Sequence, residues 1–328
     1  MATAKCCGTA PGVGHRHNPG HSVSLAVFSH DACLAHDTGP GHAECADRLR
    51  AVRSALRARF PDLDWREAPA ASRGQLLRVH DAHLLHAVLE TRPSHTIWLD
   101  PDTVLSPASA EAALRAAGAV VAAVDAVMSA RTRRAFCAVR PPGHHATHGA
   151  AMGFCLFNSI AVGAAHALER HGLTRVAVVD FDVHHGNGTQ GIFEQEGRVL
   201  FASTHQMPLY PDTGHVHERG CGNIFNVPLP PGAGSAAFRE AWRTRLLPQV
   251  EAFRPQLLMI SAGFDAHARD PLAQIELEAE DFAWVTAELA AIAQRHADGR
   301  IVSSLEGGYD LQGLAESCVA HVGALRAA

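Results

Sequence analysis

The spacing of apolar residues changes character along the chain. Over residues 45–59, Leu49, Val52 and Leu56 recur at helical spacing on one face, and residues 75–90, 158–171, 236–253 and 280–297 also read as helices. Residues 109–129 are rich in Ala and Val all round, which predicts a buried helix. Short continuous apolar runs at 23–28, 135–139, 175–180, 199–203, 256–262 and 301–305 read as strands with both faces covered. Turn signals make loops of 37–42 and 98–107. Helix alternating with apolar strand predicts an α/β fold, a mostly parallel central sheet with helices on both faces. No repeat or linker divides it. The reading is one domain over residues 22–328, behind a disordered leader over 1–21 that is rich in Gly, Pro and His.

Bulk composition narrows the class. The chain has 328 residues, 47% hydrophobic and 19% charged, with a net charge of −5 and no long run of like charge. That balance fits a packed globule and argues against a nucleic-acid surface or a polybasic membrane patch. No apolar run approaches a membrane span, and the leader lacks the apolar stretch of a signal peptide. Eight cysteines are present without a CxxC pair, so they read as reduced thiols in a cytoplasmic protein, with Cys137 and Cys155 packed in the core. His15, His17 and His21 in the leader offer at most an adventitious metal site.

Reactive residues gather where four strands end. Residues 135–139 run into Arg140-Pro141-Pro142-Gly143-His144-His145, and 175–180 into Asp180, Asp182, His184, His185 and Asn187. Residues 256–262 run into Gly263-Phe264-Asp265, and 301–305 into Glu306-Gly307-Gly308-Tyr309. In open α/β sheets, ligands bind beyond the carboxyl ends of the strands, so four such endings would build one site.

Asp180, Asp182 and His184 are spaced by two, which on extended backbone sends all three to one side. Carboxylates crowded in this way repel unless a cation sits among them, and an oxygen and nitrogen set suits Zn²⁺ ahead of Fe²⁺ or Mn²⁺. Asp265 is the candidate further ligand, although an Asp in such a loop is as readily a helix cap. Three protein ligands leave a position for water. His185, adjacent to His184, is expected to be a packed, hydrogen-bonded histidine. His144 and His145 on a stiff turn suit general acid and base work; among 23 histidines, a pair of surface loop residues is the alternative. Tyr309, one of two tyrosines, follows Gly-Gly and could donate to an oxyanion.

Pro141 to His145, Gly153-Phe154-Cys155-Leu156-Phe157-Asn158, Asp180 to Thr189, Gly263 to Asp265 and Glu306 to Tyr309, in this order, resemble the zinc-dependent histone deacetylase family. That family includes bacterial deacetylase-like amidohydrolases and acetylpolyamine amidohydrolases. The resemblance runs from Val23 onward and implies an arginase-like fold. It implies Asp182, His184 and Asp265 as ligands of one Zn²⁺ (or Fe²⁺), His145 as general base, and His144 as transition-state stabiliser and proton donor to the leaving amine. Tyr309 would hold the substrate carbonyl. Asp180 would fix the tautomer of His144, and Asn187 would orient His145, as in the class II and bacterial branches. Phe154 and Tyr210 would wall an acyl-lysine tunnel, with the Gly153 carbonyl accepting from the substrate amide and Leu272 at the mouth. A substrate-binding acid is expected near Asp100 and Asp102. A structural K⁺ would sit on the backbone of Asp180, Asp182 and His184, with Ser203.

The expected substrate is an acetylated amine, either an acetyl-lysine side chain of a peptide or protein or a small acetylated amine, and a homo-oligomer is compatible with this reading. Leu272 favours acetyl-lysine over acetylpolyamine, because the polyamine-selective branch places a Glu there. A ureohydrolase would need two Mn²⁺ and a further acid where His267 stands, and a silent acetyl-lysine reader would have lost His145 or Tyr309.

Overall fold

A computed structural model gives the architecture and describes residues 1–2 and 25–328. The leader, apart from Met1 and Ala2, lies outside the described residues, and so do His15, His17, His21, Cys6, Cys7 and the first two residues of the strand expected at 23–28. The elements in chain order begin with β1 (Leu25–Ser29), α1 (Ala32–Ala35), α2 (Ala46–Arg59), β2 (Asp64–Glu67), α3 (Arg73–Leu76) and α4 (Ala82–Leu89). Then come β3 (Ile97–Trp98), β4 (Val104–Leu105), α5 (Ser109–Met128), β5 (Arg134–Cys137), α6 (Ser159–His171), β6 (Val176–Asp180) and α7 (Asn187–Phe193). The chain closes with β7 (Val199–Gln206), β8 (Ile224–Leu229), α8 (Ser235–Ala241), α9 (Leu247–Phe253), β9 (Leu257–Ala262), α10 (Ala279–His296), β10 (Ile301–Leu305) and α11 (Leu311–Ala327).

Eight strands form one sheet in the order β2-β1-β5-β10-β9-β6-β7-β8, and each neighbouring pair is parallel. Every residue of β5, β10, β9 and β6 is buried, which is why these segments read as unbroken apolar runs and not as alternating ones. The expected α/β class and mostly parallel sheet are therefore present. Cys137 and Cys155 are buried free thiols. No helix among the described residues is long and apolar enough to cross a membrane.

The differences from the expected elements have local causes. The helix expected over 75–90 is broken in two. Asp81 caps α4 by accepting from Leu84 N at 2.8 Å, after Ser72 has capped α3; side-chain capping decides here over apolar period. The loop expected at 98–107 contains the antiparallel β3–β4 pair. The helix expected over 236–253 passes through a π-helical segment, Trp242–Leu246, just before Pro248, which has no N–H to continue the regular ladder. The sheet's outer strands, β2 and β8, were not expected: β2 is Asp-Trp-Arg-Glu and half-exposed, and the apolar residues of β8 are interrupted by Asn226 and by Pro228, which an edge strand tolerates. The C-terminal helix α11 was also not anticipated.

One buried ionic network ties α2 to the sheet. Both carboxylate oxygens of Glu44 accept from Arg140, at 2.7 and 2.8 Å, and Oε1 also accepts from Arg48 at 3.1 Å. Arg140 donates in addition to the Cys33 and His36 carbonyls. Burial works against the charged form of Glu44, but the two guanidiniums outweigh it and lower its pKa to about 2. Glu44→Gln should cost about 3–5 kcal/mol in urea unfolding, because two guanidiniums stay buried with one partner lost. The wild-type contribution should be complete above the usual carboxylate pKa near 4.5 and fade as pH falls towards 2. A Gln variant as stable as wild type would remove this role.

Candidate active site

The four strands with reactive endings, β5, β10, β9 and β6, are the contiguous centre of the sheet. Because they are parallel and in register, with Leu305 opposite Ala262 and Asp180 opposite Ser261, their carboxyl ends lie side by side. The sheet thus gathers residues that are far apart in sequence.

At the floor, one ligand atom each from Asp182, His184 and Asp265 lie within 4.8 Å of one another, and all three residues are buried. His184 Nδ1 is 3.2 Å from Asp182 Oδ1 and 3.1 Å from Asp265 Oδ2. Burial disfavours the imidazolium of His184, but hydrogen bonds to Asp182 and Asp265 outweigh it and raise its pKa to about 10. Burial, reinforced by the Asp182 charge, pushes Asp265 up to about 7. The trio therefore demands positive charge at its centre, and its mixed oxygen and nitrogen donors fit a divalent cation of the zinc class. Backbone amides hold the carboxylates in place: Asp182 accepts from His184 N and Gly307 N, and Asp265 from Val183 N. Gly307 passes so close that a Cβ there would lie 2.1 Å from Asp265 Oδ2.

Asp180 does not join the trio, contrary to the spacing of two. The strand ends at Asp180 and the backbone bends over residues 182–184, so alternation along an extended strand does not set the directions of these side chains. Asp180 turns instead to His144, accepting from Nδ1 at 2.9 Å, while its other oxygen accepts from Asp182 N. His185 packs away from the trio, against Thr213 and Gln190, as a hydrogen-bonded histidine.

His144 and His145 stand with ring centroids 4.0 Å apart. Burial lowers the pKa of His144, but Asp182 and Asp180 outweigh it and hold it up at about 10; its Nε2 is 3.8 Å from Asp182 Oδ2. Burial and the neighbouring His144 and His184 push His145 well below its ordinary pKa. His145 Nδ1 is 2.7 Å from Asn187 Oδ1, which can only accept, so the proton sits on Nδ1 and Nε2 is left with a lone pair.

Several supporting residues were not singled out from sequence. Glu306 Oε2 accepts from Gly143 N at 2.6 Å and His144 N at 3.2 Å, fixing the histidine turn from the end of β10. Asn158 caps α6 through Ala161 N and donates to the His144 and Ala146 carbonyls. Arg48 donates to the Gly308 and Glu306 carbonyls, and its guanidinium lies 4.8 Å from the Tyr309 ring centroid. Asp270 joins two segments of the rim by accepting from Tyr309 N and Leu272 N. The available signal was a Glu at the end of an apolar strand and a Glu-Arg pair at i, i+4.

Above the floor lies a cavity of about 220 Å³, walled by Asp102, His145, Gly153, Phe154, His184, Leu209, Tyr210, Leu272 and Tyr309. The structure thus brings Gly153, Phe154, Tyr210, Leu272 and Tyr309 to one place. The rings of Phe154 and Tyr309 meet edge to face at 5.7 Å. A Cβ on Gly153 would lie 2.5 Å from the His145 ring, so this close approach requires glycine. The Gly153 carbonyl already accepts from the Cys155 thiol. Of the two acids considered, Asp102 lines the cavity and accepts from Gly153 N, whereas Asp100 holds its own turn through the amides of Asp102 and Thr103. Among the described residues, no side chain or backbone group hydrogen-bonds the Tyr309 hydroxyl, and burial keeps it protonated by raising its pKa well above the ordinary value.

The histone deacetylase domain model matches residues 42–325. The chain belongs to the histone deacetylase family. It is 42% identical over 310 residues to a histone deacetylase-like amidohydrolase of Pseudomonas aeruginosa, covering 87% of this chain and 81% of that protein. It is 39% identical over 287 residues to the human polyamine deacetylase HDAC10, covering 83% of this chain and 42% of the human protein. The crystal structure of the HDA15 HD domain superposes with a TM-score of 0.87 at 35% identity, covering 93% of this chain and 89% of that one. The arginase/deacetylase fold expected from the motifs is thus established for this member of the histone deacetylase family.

Gly307→Ala should weaken the site's affinity for a divalent metal by about tenfold or more, measured by chelator competition, because the added methyl displaces Asp265. Unchanged affinity would show that the carboxylate has room to move.

Proposed function

We propose that the chain is a zinc-dependent deacetylase that hydrolyses N-acetyl amides, with acetyl-lysine side chains of peptides or proteins as substrate. The observation that carries this reading is the Tyr309 hydroxyl, kept protonated by burial and without a hydrogen-bond partner among the described residues, in a cavity whose other walls include His145 and His184. Asp182, His184 and Asp265 would hold one zinc, with Fe²⁺ as the alternative ion. When bound, the ion supplies Lewis-acid activation of a water and of the acyl carbonyl.

The chain's own residues supply the proton transfers. His145, neutral and held by Asn187 at Nδ1, takes a proton from the attacking water at Nε2. His144, held charged by Asp180 and Asp182, stabilises developing negative charge and gives its Nε2 proton to the leaving amine. Tyr309 donates to the carbonyl oxygen as it gains charge. Phe154 and Tyr210 flank the acyl chain, and Gly153 offers its carbonyl to the substrate amide. The segment 180–184 with Ser203 would hold K⁺; Ser203 stands opposite Asp180 in register on β7, which supports this placement. A cytoplasmic location fits the reduced cysteines.

The second reading is an acetylpolyamine amidohydrolase, favoured by the 39% identity to a polyamine deacetylase. Against it, the side chain at the cavity mouth is the exposed, apolar Leu272, which cannot attract a second ammonium group. Comparing kcat/KM for acetyl-lysine peptides, acetylputrescine and acetylspermidine separates the two. Wild-type enzyme should prefer the peptide, and Leu272→Glu should shift the ratio towards acetylspermidine; a wild-type preference for acetylpolyamines of about tenfold or more would replace the first reading with the second.

Tyr309→Phe should retain metal and fold yet lose about 10²–10³ in kcat, the range for one oxyanion donor. His145→Ala should do at least as much damage. An unchanged kcat in Tyr309→Phe would refute its role.

A further inference from the structure

Away from the active site, α5 and α6 are joined by three side chains that the proposed reaction does not use. Asp125 lies on α5, and His166 and His171 lie on α6. Both imidazole Nε2 atoms are 2.8 Å from the same oxygen, Asp125 Oδ1. The two rings stand 5.5 Å apart at 74°, so they approach that oxygen from different directions. One ligand atom from each residue lies within 4.8 Å of the others. Asp125 Oδ2 accepts no hydrogen bond from a described residue, and its side chain is 43% exposed, so water can reach the cluster. The N-terminal end of α6 adjoins the histidine turn through Asn158, whereas His171 is its last residue. At the helical rise of ~1.5 Å per residue, the cluster's far end is ~18 Å from that turn.

We propose that Asp125, His166 and His171 form a separate site for a divalent transition metal of the zinc class, pinning α5 to α6. The proposal does not depend on the assigned reaction. Two imidazoles and one carboxylate, with remaining positions open to water, are a donor set for Zn²⁺, Co²⁺, Ni²⁺ or Cu²⁺. Without metal, both Nε2 atoms carry protons and donate to Asp125. Arg78 sets the cost of exchanging them. Its Nη1 lies 2.8 Å from His166 Nδ1, and guanidinium only donates, so Nδ1 accepts and the His166 proton is fixed on Nε2. Metal at Nε2 moves that proton to Nδ1 and breaks the Arg78 bond, leaving Arg78 with Glu169, to which its Nε is already paired at 2.6 Å. Removing the guanidinium should therefore tighten metal binding.

The test is calorimetric titration of Zn²⁺, and spectroscopic titration of Co²⁺, into full-length protein already holding one equivalent of Zn²⁺. A further equivalent should bind to wild type and equally to a variant with His15, His17 and His21 all changed to Ala. His171→Gln or Asp125→Asn should weaken it by about tenfold or more, with deacetylation of the acetyl-lysine peptide unchanged. Arg78→Gln should bind it more tightly than wild type, a gain that misfolding cannot produce. The proposal is overturned if the further equivalent is missing, survives both weakening variants, vanishes with the leader histidines, or binds Arg78→Gln no more tightly than wild type.

Discussion

Buried negative charge at the carboxyl edge of a parallel sheet is the constraint on which the rest of this molecule depends. Asp180, Asp182, Asp265 and Glu306 are all buried at the ends of adjacent central strands or just beyond them. Carboxylates removed from water must be protonated, paired, or supplied with a cation. The structure uses each remedy at a different place. Asp180 is paired with His144. Glu306 accepts two backbone amides, and burial still lifts its pKa to about 7. Asp182 and Asp265 converge on His184, and their demand for positive charge outweighs burial and raises its pKa to about 10.

That demand organises the surroundings. Glycine at 307 lets an amide reach Asp182 without a side chain colliding with Asp265. Arg48 holds the Glu306–Gly308 backbone by its carbonyls, and Glu44 holds Arg48 and Arg140 in turn. The loop carrying Tyr309 is therefore anchored through a guanidinium network that reaches α2. Rigid placement matters because the proposed chemistry needs a donor, a base and a charged imidazole within one small cavity.

The two histidines of the turn show how environment separates like residues. They adjoin in sequence and their rings nearly touch, yet one is driven up in pKa and the other down. The difference lies in the partner: a carboxylate for His144 and a neutral amide for His145. Opposed pKa values within one pair suit one member to acid work and the other to base work.

Much of this was legible in the chain itself. The apolar runs of the buried central strands and the residues following them marked the sheet and its reactive edge, because parallel strands covered on both faces must be apolar throughout. The motif pairs His144 with Asp180 and His145 with Asn187 were also readable as the family's pattern, and the hydrogen bonds follow it. What the chain did not show was strand order, which puts β5, β10, β9 and β6 side by side although they lie far apart in sequence. The edge strand β2 was hidden because a strand with an exposed flank has no need of an apolar run, and β8 because Asn226 and Pro228 interrupt its apolar residues. The spacing of two by itself would have put Asp180 with Asp182 and His184, but extended backbone stops at Asp180 and its carboxylate goes to His144. The i, i+4 spacing of Glu44 and Arg48 was visible, but their links to Arg140 and to the Glu306–Gly308 backbone, and those of Asn158 to the histidine turn and Asp270 to Tyr309, join segments distant in sequence. Local pattern is written by burial and periodicity; partnership between distant polar groups exists only once the sheet has been assembled.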